Sequence, residues 1–244
     1  MAHGTPDWGG SAPKNTTYRL QDDAELAIRL GSPINFDRRG EVIYYNDFNY
    51  GGQNFTATGA GVGNGVALSC SQALSGPNCL MMTPGNLGGD TSRIARVNYY
   101  PILGRVGEQI SFAPVPGLRE VWLTLHVYTG ATIYSFLVRY SHIAGTIAVW
   151  RGFAGFVVIG TPGISRDTNS SYTTIKLIAD LETLSYTRVM INDRTYSAAG
   201  IVPWSAVDLT TKSLECFVEV YNNAAGVIAV AVDNWILTQN EPAT

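Results

Sequence analysis

Two segments near opposite ends of the chain read as partner strands of one β-domain: Val42-Ile-Tyr-Tyr-Asn-Asp-Phe48 and Ile228-Ala-Val-Ala-Val-Asp-Asn-Trp-Ile-Leu237. Both are dense in β-branched and aromatic residues, which suit a pleated, half-buried surface. Almost everything between them is short alternating runs and Gly-rich turns. Such a chain closes on itself as a β-domain, with its first forty-one residues left outside as an arm.

From Val42 onward the hydrophobic period is two. Leu118–Tyr128 is the clearest strand: Val121, Leu123, Leu125 and Val127 point one way, and Glu120, Trp122, Thr124, His126 and Tyr128 the other. Tyr134, Phe136, Val138 and Tyr140 share a face in the next strand, and Thr146–Arg151 and Phe153–Ile159 follow. Thr173–Asp180, Tyr186–Ile191 and Thr195–Ser197 form a meander with Asn192-Asp193 as its second turn. Leu214, Cys216, Val218 and Val220 then alternate with Glu215, Phe217, Glu219 and Tyr221, before a turn at Asn222–Gly226. The Gly-rich stretch 51–65 reads as a loop or weak edge strand. The whole predicts an all-β, two-sheet antiparallel jelly-roll sandwich over residues 42–240, with a tail at 241–244.

The arm, residues 1–41, differs. Met1–Asn15 is Gly, Pro and polar, and reads as an extended or partner-bound tail. Asp22–Leu30 fits either an amphipathic helix capped by Asp22, with Leu26, Ala27 and Leu30 on one face, or a strand with Leu26, Ile28 and Leu30 inward. Asp37-Arg-Arg-Gly40 is a hairpin signal between Ile34-Asn-Phe36 and Val42–Tyr45. Trp8, Tyr18, Leu20, Leu26, Ile28 and Leu30 are the arm's candidate contact residues.

Hydrophobic residues make up 45% of the 244 and charged residues only 14%, so a sizeable core is available and the surface is short of charge. That favours an oligomer, in which part of the surface is covered. The net charge of −3 and the lack of any Lys/Arg cluster beyond Arg38-Arg39 argue against nucleic acid as a partner. The N-terminus lacks a secretory n-region and h-region, and no run approaches the ~18 apolar residues of a membrane span. Synthesis in the cytoplasm and no membrane partner are expected.

Cys70 and Cys79 could face each other across a hairpin, or remain reduced core thiols; with Cys216 they are too few for a disulfide framework. Asn15-Thr-Thr, Asn54-Phe-Thr and Asn169-Ser-Ser match the glycosylation pattern at the frequency chance supplies.

The run Tyr172-Thr-Thr-Ile-Lys-Leu-Ile-Ala-Asp180, the turn to Tyr186 and the Asn192-Asp193 turn resemble the central meander of laminin-G/concanavalin A-like jelly rolls. Asp47-Phe48 at the opening and Val232-Asp-Asn-Trp235 at the close are similar to the same plan. Leu184 stands where that family usually has Gly. The arm followed by Asp37-Arg-Arg-Gly40 and a jelly roll also resembles tailed-phage virion structural proteins of the decoration type. That second resemblance implies a virion location and partners such as the major capsid protein. The first implies a structural calcium near the domain's ends, for which Asp47 and Asp233 are candidate ligands. The bland role for both is capping turns.

Catalytic signatures are missing. Glycoside hydrolysis needs two carboxyls about 5–5.5 Å or 6.5–9.5 Å apart, which on one strand means an acid-x-acid triplet at about 6.6 Å. No expected strand carries one, and Glu215 and Glu219 are about 13 Å apart. His3, His126 and His142 are scattered, with no HExxH or CxxC for zinc. Gly59-Ala-Gly-Val-Gly-Asn-Gly65 lacks the spacing and βαβ setting of a dinucleotide loop. The stripe Trp122, His126, Tyr128 admits three readings: a sugar-stacking platform, a protein interface, or part of the inter-sheet core. The expectation is therefore a non-enzymatic assembly protein of a virion, self-associating through its arm, with a trimer as one closed form. A carbohydrate-binding or receptor-recognition module is the alternative.

Overall fold

The computed structural model describes residues 40–49, 54–74, 76–100, 104–164 and 171–242, within the compact unit Arg39–Thr244. Its strands are β1 (Glu41–Asn46), β2 (Thr56–Ala60), β3 (Gly65–Ser69), β4 (Cys79–Thr83), β5 (Thr91–Asn98), β6 (Arg105–Phe112), β7 (Leu118–Tyr128) and β8 (Thr132–Ser141). They continue as β9 (Thr146–Trp150), β10 (Phe156–Gly160), β11 (Thr173–Asp180), β12 (Ser185–Ile191), β13 (Arg194–Ser197), β14 (Trp204–Val207), β15 (Ser213–Asn222) and β16 (Val230–Gln239). The arm residues Trp8, Tyr18, Leu20, Leu26, Ile28 and Leu30, the segment 22–30 and the strand before Gly40 lie outside the described residues. Among the described residues no helix is long and apolar enough to cross a membrane.

All pairing is antiparallel, in two sheets of eight strands. The first sheet runs β13-β12-β11-β6-β16-β4-β3, with β1 also on β16. The terminal segments pair as their composition predicts, from Glu41 opposite Gln239 to Asn46 opposite Trp235. One edge of β16 lies along β6; the other takes β4 at Val230–Val232 and then β1 from Trp235. The changeover falls at Asp233-Asn234, where Asn234 has φ of 51° and the register against β6 shifts. The second sheet runs β10-β9-β8-β7-β15-β5-β2, with β14 on the first half of β8 and β9 on the second. In the 51–65 stretch, β2 forms this sheet's edge and is exposed throughout.

The core lies between the sheets. Val121, Leu123, Leu125, Val127, Phe136, Val138, Tyr140, Val218 and Val220 from the second meet Ile110, Phe112, Ile175, Leu177, Trp235 and Leu237 from the first, all fully buried. Each such side chain contributes about 1.5–3 kcal/mol by leaving water. Tyr186 of β12 ties the layers together: its hydroxyl accepts from Leu137 N–H (2.8 Å) and donates to the Trp150 carbonyl (2.9 Å). Glu108 also points inward, accepting a hydrogen bond from Trp235 Nε1 at 3.0 Å. Complete burial pushes its carboxyl well above the ordinary range, which favours the neutral acid in the core.

Several local readings need correction. Phe153–Ile159 is not one strand: Gly152 (φ 62°) and Gly155 (φ 76°) bend the chain into a 3₁₀ turn at Gly152–Ala154, leaving Phe153 fully exposed before β10 begins. Cys70 is no core thiol. Ser69 pairs with Cys79, so Cys70 lies one residue off that register and is exposed, whereas Cys79 is buried. Both are free. In the meander, Leu184 adopts φ of 49° without being Gly, and Asp180 Oδ1 accepts the Glu182 and Thr183 N–H groups at 3.0 Å to hold that turn.

Candidate functional site

Strand pairing brings the outward side chains of the second sheet into cross-strand rows. One row is Arg93 (β5), Glu219 (β15), Trp122 (β7) and Arg139 (β8); the next is Ala95, Phe217, Thr124 and Leu137; the third is Val97, Glu215, His126 and Ser135. Trp122, His126 and Tyr128 therefore share one face, half-buried, as the period of β7 requires. They are not part of the inter-sheet core, whose share of β7 is Val121, Leu123, Leu125 and Val127.

Trp122 sits at the centre. Its ring lies 4.6 Å from Tyr221, tilted by 38°, and 5.4 Å from Phe156, edge to face. Phe156 is on β10, three strands from β7. In a flat sheet those backbones stand about 14 Å apart, so the two side chains lean toward each other across β8 and β9. The strip from Arg93 to Arg139 centred on Trp122 is termed the trough. The indole is fixed within it by its Nε1–H, which donates to Glu120 Oε2 at 2.8 Å.

Charged groups flank this centre. Toward β5, the Arg93 guanidinium lies over the Phe217 ring at 3.8 Å, with Glu215 Oε1 3.8 Å away. Glu215 Oε2 accepts from the Tyr128 hydroxyl at 3.1 Å and has His126 Nδ1 at 3.8 Å. His126 is the largest influence holding Glu215 below the usual carboxylate range, with the Tyr128 hydroxyl and Arg93 adding to it. Burial pushes the Tyr128 phenol up to about 12. Glu219, four residues along, goes the other way, because burial raises its carboxyl more than Arg93 lowers it. Toward β10, Arg139 lies over Phe156 at 3.8 Å, with Glu120 Oε1 at 3.6 Å. Beside Arg93 a depression of about 580 Å³ opens along the sheet edge, lined among others by Thr56, Thr58, Val97 and Glu215.

The sequence placed Trp122, His126 and Tyr128 together but could not place Arg93, Arg139, Phe156, Glu219 and Tyr221 around them. The alternation of Glu215, Phe217, Glu219 and Tyr221 shows that these four share a face; which face of which sheet they join depends on strand register. Of the candidate calcium ligands, Asp47 follows the end of β1 and Asp233 lies in β16 at its register shift. Asp47 accepts the Asn49 backbone N–H (3.1 Å) and side-chain amide (2.7 Å). Asp233 accepts the N–H groups of Leu74 and Asn234, both at 2.8 Å. Among the described residues no group of three or more His, Cys, Asp or Glu side chains is placed to share a metal ion.

No family model matches the chain, and no curated protein matches its sequence. Solved structures match it in fold. A Bacillus subtilis protein with a galectin-like fold superposes with a TM-score of 0.52 at 13% identity, over 82% of this chain and 97% of that one. The conserved carbohydrate esterase of the Shiga toxin-encoding bacteriophage phi24B gives 0.50 at 10% identity, over 82% and 99%. A sialidase gives 0.51 at 8% identity over 84% of this chain, which spans only 19% of the sialidase. The chain thus shares the two-sheet jelly-roll sandwich fold of these proteins.

Proposed function

We propose that the protein is a non-catalytic carbohydrate-recognition module and that the trough on the second sheet is its binding face. The observation that carries this reading is the setting of Trp122. Its indole is held by Glu120, braced by Tyr221 and Phe156, and flanked by groups that donate and accept hydrogen bonds. A pyranose presents an apolar C–H face to such a ring and hydroxyls to the polar groups around it. A ring already fixed in place loses little freedom when the sugar arrives.

The esterase and sialidase neighbours raise catalysis as the competing use of this fold. Glu120 and Glu219 are diagonal neighbours across β7 and β15, about 7–8 Å apart at the backbone. Glu120, however, is tied to Trp122 Nε1 and stands between Arg119 and Arg139, at 3.7 and 3.6 Å. A carboxyl held this way is poorly placed to give or take a proton. A glycan array on the purified chain should show selective binding, lost in Trp122→Ala, with no release of reducing ends. Binding that survives Trp122→Ala would reject the platform, and released reducing ends would reject the non-catalytic assignment.

A second reading is favoured by large apolar side chains left in water, among them Tyr99, Phe153, Val207 and Leu209. In it the sandwich is a virion component made in the host cytoplasm, a capsid-decorating or surface protein whose arm reaches copies of itself or the major capsid protein. A sandwich carried on a particle could display the trough, so the two readings are compatible. Native mass of the full chain should then show a closed oligomer such as a trimer; a strict monomer would reject the self-assembly.

A further inference from the structure

We propose that the sugar chain received by the trough is anionic, a carboxylated or sulfated polysaccharide gripped by Arg93 and Arg139 on either side of Trp122. This rests on the reading of the trough as a glycan site and specifies its ligand.

The acceptors on this face already have partners of their own. Glu120 takes the Trp122 indole N–H at 2.8 Å and lies between two arginines. Glu215 takes the Tyr128 hydroxyl at 3.1 Å and has His126 and Arg93 beside it. Glu219, the acid within the central row, is half-buried and faces Arg93, His126 and the Tyr221 hydroxyl; its burial favours the uncharged form. The donors are in the opposite condition. Arg93 and Arg139 keep 32% and 24% of their side chains exposed, although their Nε atoms are buried. The carboxylate oxygens paired with these guanidiniums stand at 3.8 and 3.6 Å, beyond good hydrogen-bonding distance. A face with its acceptors occupied and two guanidiniums partly exposed and only loosely paired suits a ligand that brings acceptors.

Geometry favours paired oxygens. Each guanidinium carbon lies 3.8 Å from the centroid of a phenylalanine ring, a contact that restricts its swing. A planar fork restricted in this way matches the two oxygens of a carboxylate, or two of a sulfate ester, better than a lone hydroxyl. Arg93 and Arg139 occupy one row three strands apart, about 14 Å at the backbone. One carboxylated monosaccharide does not reach both, so the fitting ligand is a chain with a charge on each side of the sugar stacked on Trp122.

The test is calorimetric titration of the full chain with oligosaccharides of polygalacturonate (carboxylated), dextran sulfate (sulfated) and dextran (neutral). An anionic series should bind at least about tenfold more tightly than dextran and weaken as salt is raised. The Arg93→Gln/Arg139→Gln double variant should lose that preference. Arg93→Lys, which keeps charge but not the fork, should fall between. Which anionic series wins identifies carboxylate or sulfate. Thermal unfolding of each variant confirms that it is folded. Dextran bound as tightly as both anionic series, or anionic binding unchanged in the folded double variant, would overturn the inference and leave the glycan site standing. No binding of any glycan, on the array or here, would overturn both.

Discussion

On the outward side of the first sheet, Lys176 Nζ meets Glu241 Oε1 at 2.6 Å and Arg188 stands 3.8 Å from the same carboxylate, all nearly or wholly out of water. On the outward side of the second, Arg93 and Arg139 keep a quarter to a third of their surface exposed and hold their carboxylates only at 3.6–3.8 Å. Both faces come from the same alternation of inward apolar and outward polar residues. What separates them is closure. The first face buries its charged groups, with Ser111 and Thr174 bonded at 2.8 Å and Ile178 and Ile236 buried among them. The second keeps its two guanidiniums partly in water. Outward polarity alone thus says little about function; how far the polar groups are withdrawn from water says more.

The contrast can be broken most forcefully at Lys176. Replacing it by Met leaves the Glu241 carboxylate buried with its closest cation gone, and urea denaturation should show a loss of about 3–5 kcal/mol. Arg93→Gln should cost no more than about 1 kcal/mol, as for exposed ion pairs. Comparable losses at the two sites would mean that the second face is as structural as the first.

A second comparison sets the interior against the open face, using pH. Glu108 binds its proton more tightly folded than unfolded, so its contribution is full below the ordinary carboxyl value of about 4.3. It is lost as pH rises through the raised native value. Glu108→Gln keeps an acceptor for Trp235 and removes the titration. Its stability should gain on the parent's steadily from acid to alkaline pH, and a parallel pair of curves would show that Glu108 does not titrate within the fold.

The smallest effects distinguish two residues of the trough itself. Glu219 is raised and Glu215 lowered, although both are outward on β15. The Glu219 contribution fades as pH rises; the Glu215 contribution is present above about 4.3 and fades as pH falls below it. Glu219→Gln and Glu215→Gln should therefore diverge from the parent with opposite slopes in thermal melts, each by about 1 kcal/mol or less. Equal slopes would remove the distinction between the two carboxyls.

How much was legible in the sequence follows the same division. The terminal pair, β7 and the β11–β13 meander show through because their inward residues are uniformly apolar. β6 does not: Glu108 points into the core and breaks the apolar alternation of Val106, Ile110 and Phe112, although the strand is central in its sheet. β5 is masked in the same way by Arg93 and Arg96. Within the trough, residues of one strand could be grouped because their spacing is fixed by the pleat. Arg93, Trp122 and Arg139 meet across three strand pairings, and pairing register is set by the folded sheet rather than by any local pattern.

The most direct test of the account is where a bound sugar chain lies. Backbone and indole NMR shifts of the full chain, followed during titration with the tightest oligosaccharide, should move at Arg93, Trp122, His126, Arg139 and Glu219. Lys176 and Arg188 on the opposite face should stay still. Shifts confined to the first sheet or to the connecting loops, with the Trp122 indole unmoved, would contradict it.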